Sequence, residues 1–321
     1  MMTKLLTCCA ALLGLFAFDN SASAYFWYTT APRCTSQADC GSGLTCMEMH
    51  DSLKFCLTTC SGDGECGGQI CHHGGCVTPT RWFRTELTVK VSTTVPQEVA
   101  WDVMEPLVHQ AYDAWVDLPG CNVPQVDVVG TTASTAITTP TTLAEEPDNI
   151  VVFIKDSQRW RDIPGATNTQ IALTIIAHNP ETGEIADADI AVNDAAFAFT
   201  TEDDATAGVD LLSALTHEAG HFFGLAHSKD VDATMAPGYG SDLSRRIQAR
   251  DPATDDVQGI CSLYQNVPPH VDPTTGGTGG SDGGGCAGAG DGGATGLAGV
   301  LALLGLVAVR RRRVAVSARR A

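Results

Sequence analysis

Three histidines within an eleven-residue stretch constrain this chain more than any other feature: residues 217 to 227 read His217-Glu218-Ala219-Gly220-His221-Phe222-Phe223-Gly224-Leu225-Ala226-His227. From Leu211 to His221 the apolar residues recur at helical spacing, and Asp210 stands where it caps the first turn. His217 and His221, at i and i+4, therefore project from one helix face. Gly224 has the backbone freedom to end the helix and turn the chain, which brings His227 back toward the first two. A fold that accommodates this segment must hold a helix, break it sharply and converge three imidazoles.

Imidazole nitrogens suit zinc, and three protein ligands leave a fourth position for water, the mark of a catalytic rather than a structural site. Glu218, next to the first ligand, is placed as general base: it takes a proton from the attacking water and passes it to the leaving group. The segment thus predicts one catalytic Zn2+ on His217, His221 and His227.

Cysteine usage sets the compartment. Of 13 cysteines, eight fall between Cys34 and Cys76. They form two half-similar units, Cys34, Cys40, Cys46 and Cys56, then Cys60, Cys66, Cys71 and Cys76. An even count at repeating spacing predicts four disulfides in a small loop-rich module, with the connectivity open. Zinc is the rival reading, since His50, His72 and His73 lie among them, but the absence of a Cys-x2-Cys pair and evidence of export weigh against it. Residues 1–24 read as a signal peptide: Lys4 supplies the positive start, Leu5 to Phe18 the apolar core and Ala22-Ser23-Ala24 the cleavage site. Cys8 and Cys9 leave with it. A net charge of −18 disfavours nucleic acid and anionic membrane surfaces as partners.

Residues 25–79 are assigned to the cysteine module and 80–266 to a globular domain. Glu86 to Ser92 alternates as a strand, Pro96 to Trp115 carries apolar residues at helical spacing, and further strands are expected at Val126–Val129 and Ile150–Ile154. His109 falls in the helix as a surface or packing residue. Residues 267–285 are a Gly/Pro-rich linker. Beyond Cys286 come an apolar run from Leu297 to Val309, short for a membrane span, and four arginines from Arg310. Cysteine, apolar run and arginine cluster in that order resemble the myxobacterial C-terminal sorting signal, which implies processing at Cys286, a sorting machinery as partner and attachment to the cell surface or outer membrane. A simple tail anchor is the alternative.

The histidine segment resembles the metzincin metallopeptidases, matching His-Glu-x-x-His-x-x-Gly-x-x-His at each fixed position. Ser228 and Thr234-Met235-Ala236-Pro237-Gly238-Tyr239 narrow the resemblance to the matrixin family. It implies that Met235 forms the floor beneath the zinc and that Pro237 and Tyr239 line a substrate side-chain pocket. Read without it, Met235 is ordinary core and Pro237-Gly238 an ordinary turn. Asp255-Asp256 resembles the paired acids that brace that Met-turn. Residues 183–193 resemble the edge strand that pairs with extended substrate, their apolar positions alternating with polar ones.

Two departures limit the likeness. No counterpart of the structural-zinc cluster precedes His178, which is expected in a loop, so a single zinc is predicted; Ca2+ is considered at Asp187, Asp189 or Glu202-Asp203-Asp204. Pro32-Arg33-Cys34 matches only the start of the family's cysteine-switch motif, and Cys34 is needed to make the module's count even.

The expectation is an α+β fold, a metzincin-like twisted mixed sheet with an active-site helix and a C-terminal helix, preceded by the disulfide module, with Cys121 and Cys261 free to pair. The resemblance implies a secreted or surface-attached zinc endopeptidase acting on protein or peptide substrates. A cell-wall peptide amidase and a non-catalytic metal-binding adhesin are the alternatives.

Overall fold

A computed structural model describes residues 24–94, 99–137, 147–203, 208–238, 247–265 and 267. Apart from Ala24 and Val267, the signal peptide, linker and tail with Cys286 lie outside the described residues, as do Tyr239 and Asp204.

Five strands form the central sheet: β1 (Glu86–Ser92), β2 (Gln125–Thr132), β3 (Ile150–Phe153), β4 (Ala172–His178) and β5 (Ile185–Val192). Their order is β4-β5-β3-β1-β2, with β4 antiparallel to β5 and the other neighbours parallel. This is the mixed sheet expected. Strand alternation divides the apolar residues between its faces. Val151 and Phe153 of β3 join Val89, Val91, Ile190 and Val192 in the main core, while Ile150 and Val152 pack with Trp160 and Ile163 on the other side.

Helix α1 (Trp101–Val116) lies on the main core face against α3 (Leu211–Phe222), while α2 (Ser157–Asp162) carries Trp160 to the opposite face. Helix α1 begins later than the apolar spacing from Pro96 suggests. Ala100 is extended, residues 95–98 lie outside the described residues, and Val103, expected on the apolar face, is exposed while Met104 is buried. Tryptophans lock α3 in place: Trp115 donates its indole N–H to Thr216 O at 2.8 Å and Trp82 donates to Phe222 O at 2.9 Å. Each supplies a large apolar surface and satisfies its own polar atom. Helix α4 (Thr254–Leu263) closes the domain with Ile260 and Leu263 buried, tied to the loop after α1 by the Cys121–Cys261 disulfide.

The cysteine region pairs as Cys34–Cys46, Cys40–Cys56, Cys60–Cys71 and Cys66–Cys76, so each half-similar unit is cross-linked within itself. This removes the zinc reading of these residues. Cys34 has no free thiol for a switch, His72 stacks on Trp27 with ring centroids 4.1 Å apart, and His73 stacks on Phe26. Preceding the region, the short strand Phe26–Trp27 pairs antiparallel with Leu225–Ala226. Among the described residues no helix is long and apolar enough to cross a membrane.

One strand assignment is corrected. The segment 183–193 is not an edge: β5 lies between β4 and β3, and among the described residues the edge on that side of the sheet is β4, which ends at His178 rather than placing it in a loop. Polar positions of that alternation are buried carboxylates: Asp187 is 1% and Asp189 0% exposed, and they accept main-chain N–H bonds from Asp148 at 3.1 Å and Ile150 at 2.9 Å.

Asp187 generates a pH-dependent prediction. Its second oxygen has no hydrogen-bond partner among the described residues, and burial pushes its carboxyl from 3.8 up to about 6 against the Asp148 N–H bond. The unfolded chain ionises near 3.8, so the penalty for burying the charge is absent below that pH, grows between the two values and is complete above about 6. Asp187→Asn should therefore stabilise the protein in denaturant unfolding near neutrality, and the gain should disappear as the pH approaches about 4. A gain that is independent of pH would exclude this cause.

Candidate metal centre and active site

Helix α3 starts at Asp210, whose carboxylate accepts the Ser213 N–H at 2.9 Å, as the sequence predicts, and both of whose oxygens are held by Arg250. It ends at Phe222, and Gly224 then adopts φ +100°. A Cβ there would lie 2.0 Å from Thr80 O, so both the angle and the space require glycine. The chain returns through Leu225–Ala226 and delivers His227.

The three imidazoles converge through Nε2. His227 Nε2 lies 3.2 Å from that of His217 and 3.2 Å from that of His221. These short approaches are not hydrogen bonds, because each ring's Nδ1 faces an oxygen acceptor: Thr234 O at 2.7 Å from His217, Leu225 O at 2.8 Å from His221 and the Asp51 carboxylate at 2.8 Å from His227. Those acceptors require the proton on Nδ1, leaving three bare Nε2 lone pairs facing one another. Such an arrangement repels unless a cation lies between them. The donor set and its tautomers thus fit a metal that prefers imidazole nitrogen in a tetrahedral shell. Burial, followed by the neighbouring imidazoles, lowers His217 to about 4 and His221 well below the usual histidine range.

Glu218 is 6% exposed, on the same helix as the first two imidazoles. Thr174 of β4 donates its hydroxyl to Glu218 Oε2 at 2.6 Å. Burial pushes the Glu218 carboxyl up to about 7, and the Thr174 bond and His227 only partly offset it. A cleft of about 660 Å³ opens over this group, lined by Leu173 and Thr174 of β4, by Pro237 and Gly238, and by Tyr28 and Asp51 from the N-terminal region.

Next to Thr234, whose carbonyl faces His217, Met235 is 1% exposed and packs so closely on α3 that a Cβ at Gly220 would stand 2.3 Å from its sulfur. Asp256 fixes this turn, its carboxylate accepting N–H bonds from Thr234 at 2.7 Å, Met235 at 3.0 Å and Ala253 at 2.8 Å. Its neighbour Asp255 accepts the Ser228 hydroxyl at 2.7 Å. The predicted residues His217, Glu218, His221, His227, Met235 and Pro237 are therefore brought together.

Three site residues were not anticipated from the sequence. Thr174 belongs to β4, over which the sequence pattern predicts no strand. Tyr28, whose hydroxyl is 3.2 Å from His221 Nδ1, and Asp51 reach the centre from 193 and 176 positions away, and no local pattern announces such contacts.

The matrixin family profile matches residues 81–265, and the chain belongs to the matrixin family. Human matrilysin is 39% identical over 62 residues, 19% of this chain and 22% of that protein. Human neutrophil collagenase is 28% identical over 198 residues, 62% of this chain and 36% of that protein. Metalloendoproteinase 1-MMP of Arabidopsis thaliana is 40% identical over 75 residues, 22% of this chain and 20% of that protein. The chain thus spans well under half the length of each.

The turn makes its own prediction. Gly224→Ala should destabilise the protein by more than about 1 kcal/mol in urea unfolding, because alanine is strained at positive φ and its methyl meets Thr80 O. A variant as stable as the parent would show that the turn does not depend on glycine.

Proposed function

We propose that the chain is a secreted or surface-attached zinc-dependent endopeptidase that hydrolyses peptide bonds of protein substrates. The observation that carries this reading is the convergence of three unprotonated Nε2 atoms beside the buried carboxylate of Glu218, beneath a cleft bounded by the edge strand β4.

His217, His221 and His227 would hold one Zn2+, which would supply Lewis acidity toward a scissile carbonyl and toward water at neutral pH. Glu218 accepts the proton of the attacking water and returns it to the leaving amine. Thr174 aims that carboxylate. The outer edge of β4 offers main-chain donors and acceptors to an extended peptide, the mode in which strand addition supplies affinity. Met235 floors the site, while Pro237 and Tyr239 shape the pocket for the side chain after the cleaved bond.

Of the carboxylates considered for calcium, Asp187 and Asp189 accept main-chain N–H bonds and Asp203 pairs with Arg250.

Residues 1–24 are removed on export, residues 25–79 form the disulfide module, 80–266 the peptidase domain and 267–285 the linker. Cys286 is the processing position of the 286–321 sorting segment, through which a sorting machinery attaches the protein to the surface. The density of disulfides supports an oxidising compartment.

Two experiments test this function. Glu218→Gln should retain about one zinc per chain by elemental analysis and lose at least about a hundredfold in peptide hydrolysis, whereas His227→Ala should lose metal and activity together. Chelation should abolish parent activity and added zinc restore it. A zinc-loaded Glu218→Gln cleaving peptide at the parent rate would refute the assignment. Separately, intact mass of the mature protein should lack residues 1–24 and the arginine tail; active protein that keeps both would overturn the export and anchoring scheme.

A further inference from the structure

Two of the three imidazoles are oriented by main-chain carbonyls close by in sequence, Leu225 for His221 and Thr234 for His217. The third is not. His227 Nδ1 donates to Asp51 Oδ1 at 2.8 Å, and Asp51 sits at the tip of a hairpin in the cysteine region. We propose that Asp51 is a positioning residue of the metal centre, so that the disulfide module is a permanent part of the zinc site rather than a removable cover. This rests on the zinc reading above and extends it to residues outside the family match at 81–265.

The direction of the contact distinguishes support from obstruction. A covering segment would present its ligand atom where the Nε2 atoms converge. Asp51 meets the opposite edge of the ring, and the cleft beside it stays open. From that edge a carboxylate fixes the tautomer, holds the ring plane and raises the basicity of the coordinating nitrogen. The other oxygen, Oδ2, is 3.1 Å from Nδ1 of His50, which is 2% exposed, so the carboxylate is gripped on both sides.

The hairpin is built to hold this tip still. Strands Thr45–Glu48 and Lys54–Leu57 pair with Cys46 opposite Cys56, and each of these cysteines is bonded away from the hairpin, to Cys34 and Cys40. The turn between them, closed by Leu53 N donating to His50 O at 2.7 Å, places Asp51 at φ 51° and Ser52 at φ 58°. Two successive non-glycine residues in the left-handed region are uncommon. Where glycine would relax the backbone, the chain carries an aspartate whose side chain reaches the metal centre.

The segment preceding the cysteine region is also laced to the ligand loop and to α4 independently of Asp51. Phe26–Trp27 pairs with Leu225–Ala226, the two residues immediately before His227, Tyr28 N donates to Gly224 O at 3.0 Å, and Trp27 donates its indole N–H to Gly259 O at 3.0 Å. Reach and register of Asp51 are thereby set from both sides.

The test uses the full mature chain and reads zinc affinity by competition with a chelator. Asp51→Gly removes the carboxylate while relaxing the turn, and Asp51→Asn keeps an oxygen acceptor in a residue that tolerates positive φ. Asp39→Asn serves as control, because Asp39 bonds only to Thr35 and Ser36 within the module. Asp51→Gly should bind zinc about 10- to 100-fold more weakly than the parent, with Asp51→Asn between them and Asp39→Asn within about twofold of the parent. The visible spectrum of the cobalt-substituted protein should shift in both Asp51 variants and not in the control, with all disulfides intact by non-reducing peptide mapping. Zinc affinity unchanged in Asp51→Gly, or weakened equally in Asp39→Asn, would overturn the proposal, as would hydrolysis that rises at unchanged affinity, which would make Asp51 an inhibitor. In each of those cases the parent still binds zinc and the peptidase reading stands; a parent that binds no zinc refutes both.

Discussion

Bare Nε2 atoms approach within 3.2 Å at the centre of this molecule, and most of the surrounding architecture serves to keep them there. Lone pairs at that distance repel, so the scaffold has to be stiff before any cation arrives. Stiffness comes from α3, held by Trp82 and Trp115 through both apolar contact and indole hydrogen bonds. It comes also from a turn that only glycine can make, and from a second turn clamped by Asp256. The sheet does the same for Glu218, because Thr174 sits on β4 at the position that meets its carboxylate.

Much of this was legible because it is local. The i, i+4 histidines, the Asp210 cap and Gly224 obey rules that operate within one or two turns of chain, and the structure realises each of them. Failures occurred where a local rule assumed what lies opposite. In β5 the polar positions of the alternation do not face water: Asp187 and Asp189 accept main-chain N–H groups of residues 148 and 150. The resemblance that reads 183–193 as the edge puts the substrate strand one position inward of β4, the strand that carries Thr174. In α1, the apolar spacing finds the helix but not its limits or its whole buried face: the helix starts at Trp101 after an extended Ala100, and Val103 is exposed while Met104 is buried.

The contacts of the cysteine region were unreadable for a different reason. Spacing showed that eight cysteines form two units, and the disulfides keep to those units, but nothing in a repeat of cysteines says which hairpin tip will meet a histidine 176 positions later. Such a region has little apolar core of its own and depends on cross-links for rigidity. It stacks rings on the preceding segment, His72 on Trp27 and His73 on Phe26. Those same residues pair with the strand that leads into His227, so rigidity generated by disulfides is transmitted to a metal-facing residue through a two-residue strand.

The buried carboxylates show why burial alone does not identify a working group. Asp210 is matched by a bidentate guanidinium and Asp256 by three N–H groups, so most of their lost hydration is replaced and they act as fasteners. Asp187 retains one oxygen with no hydrogen-bond partner among the described residues, yet it does not line the cleft, and its raised affinity for a proton bears on stability alone. Glu218 combines both conditions. It is buried and bonded at Oε2 by a single hydroxyl, its Oε1 makes no hydrogen bond among the described residues, and it lines the cleft beside three imidazoles. A carboxylate left under-satisfied where solvent and substrate can enter is poised to exchange a proton, and among these four acids only Glu218 meets that description.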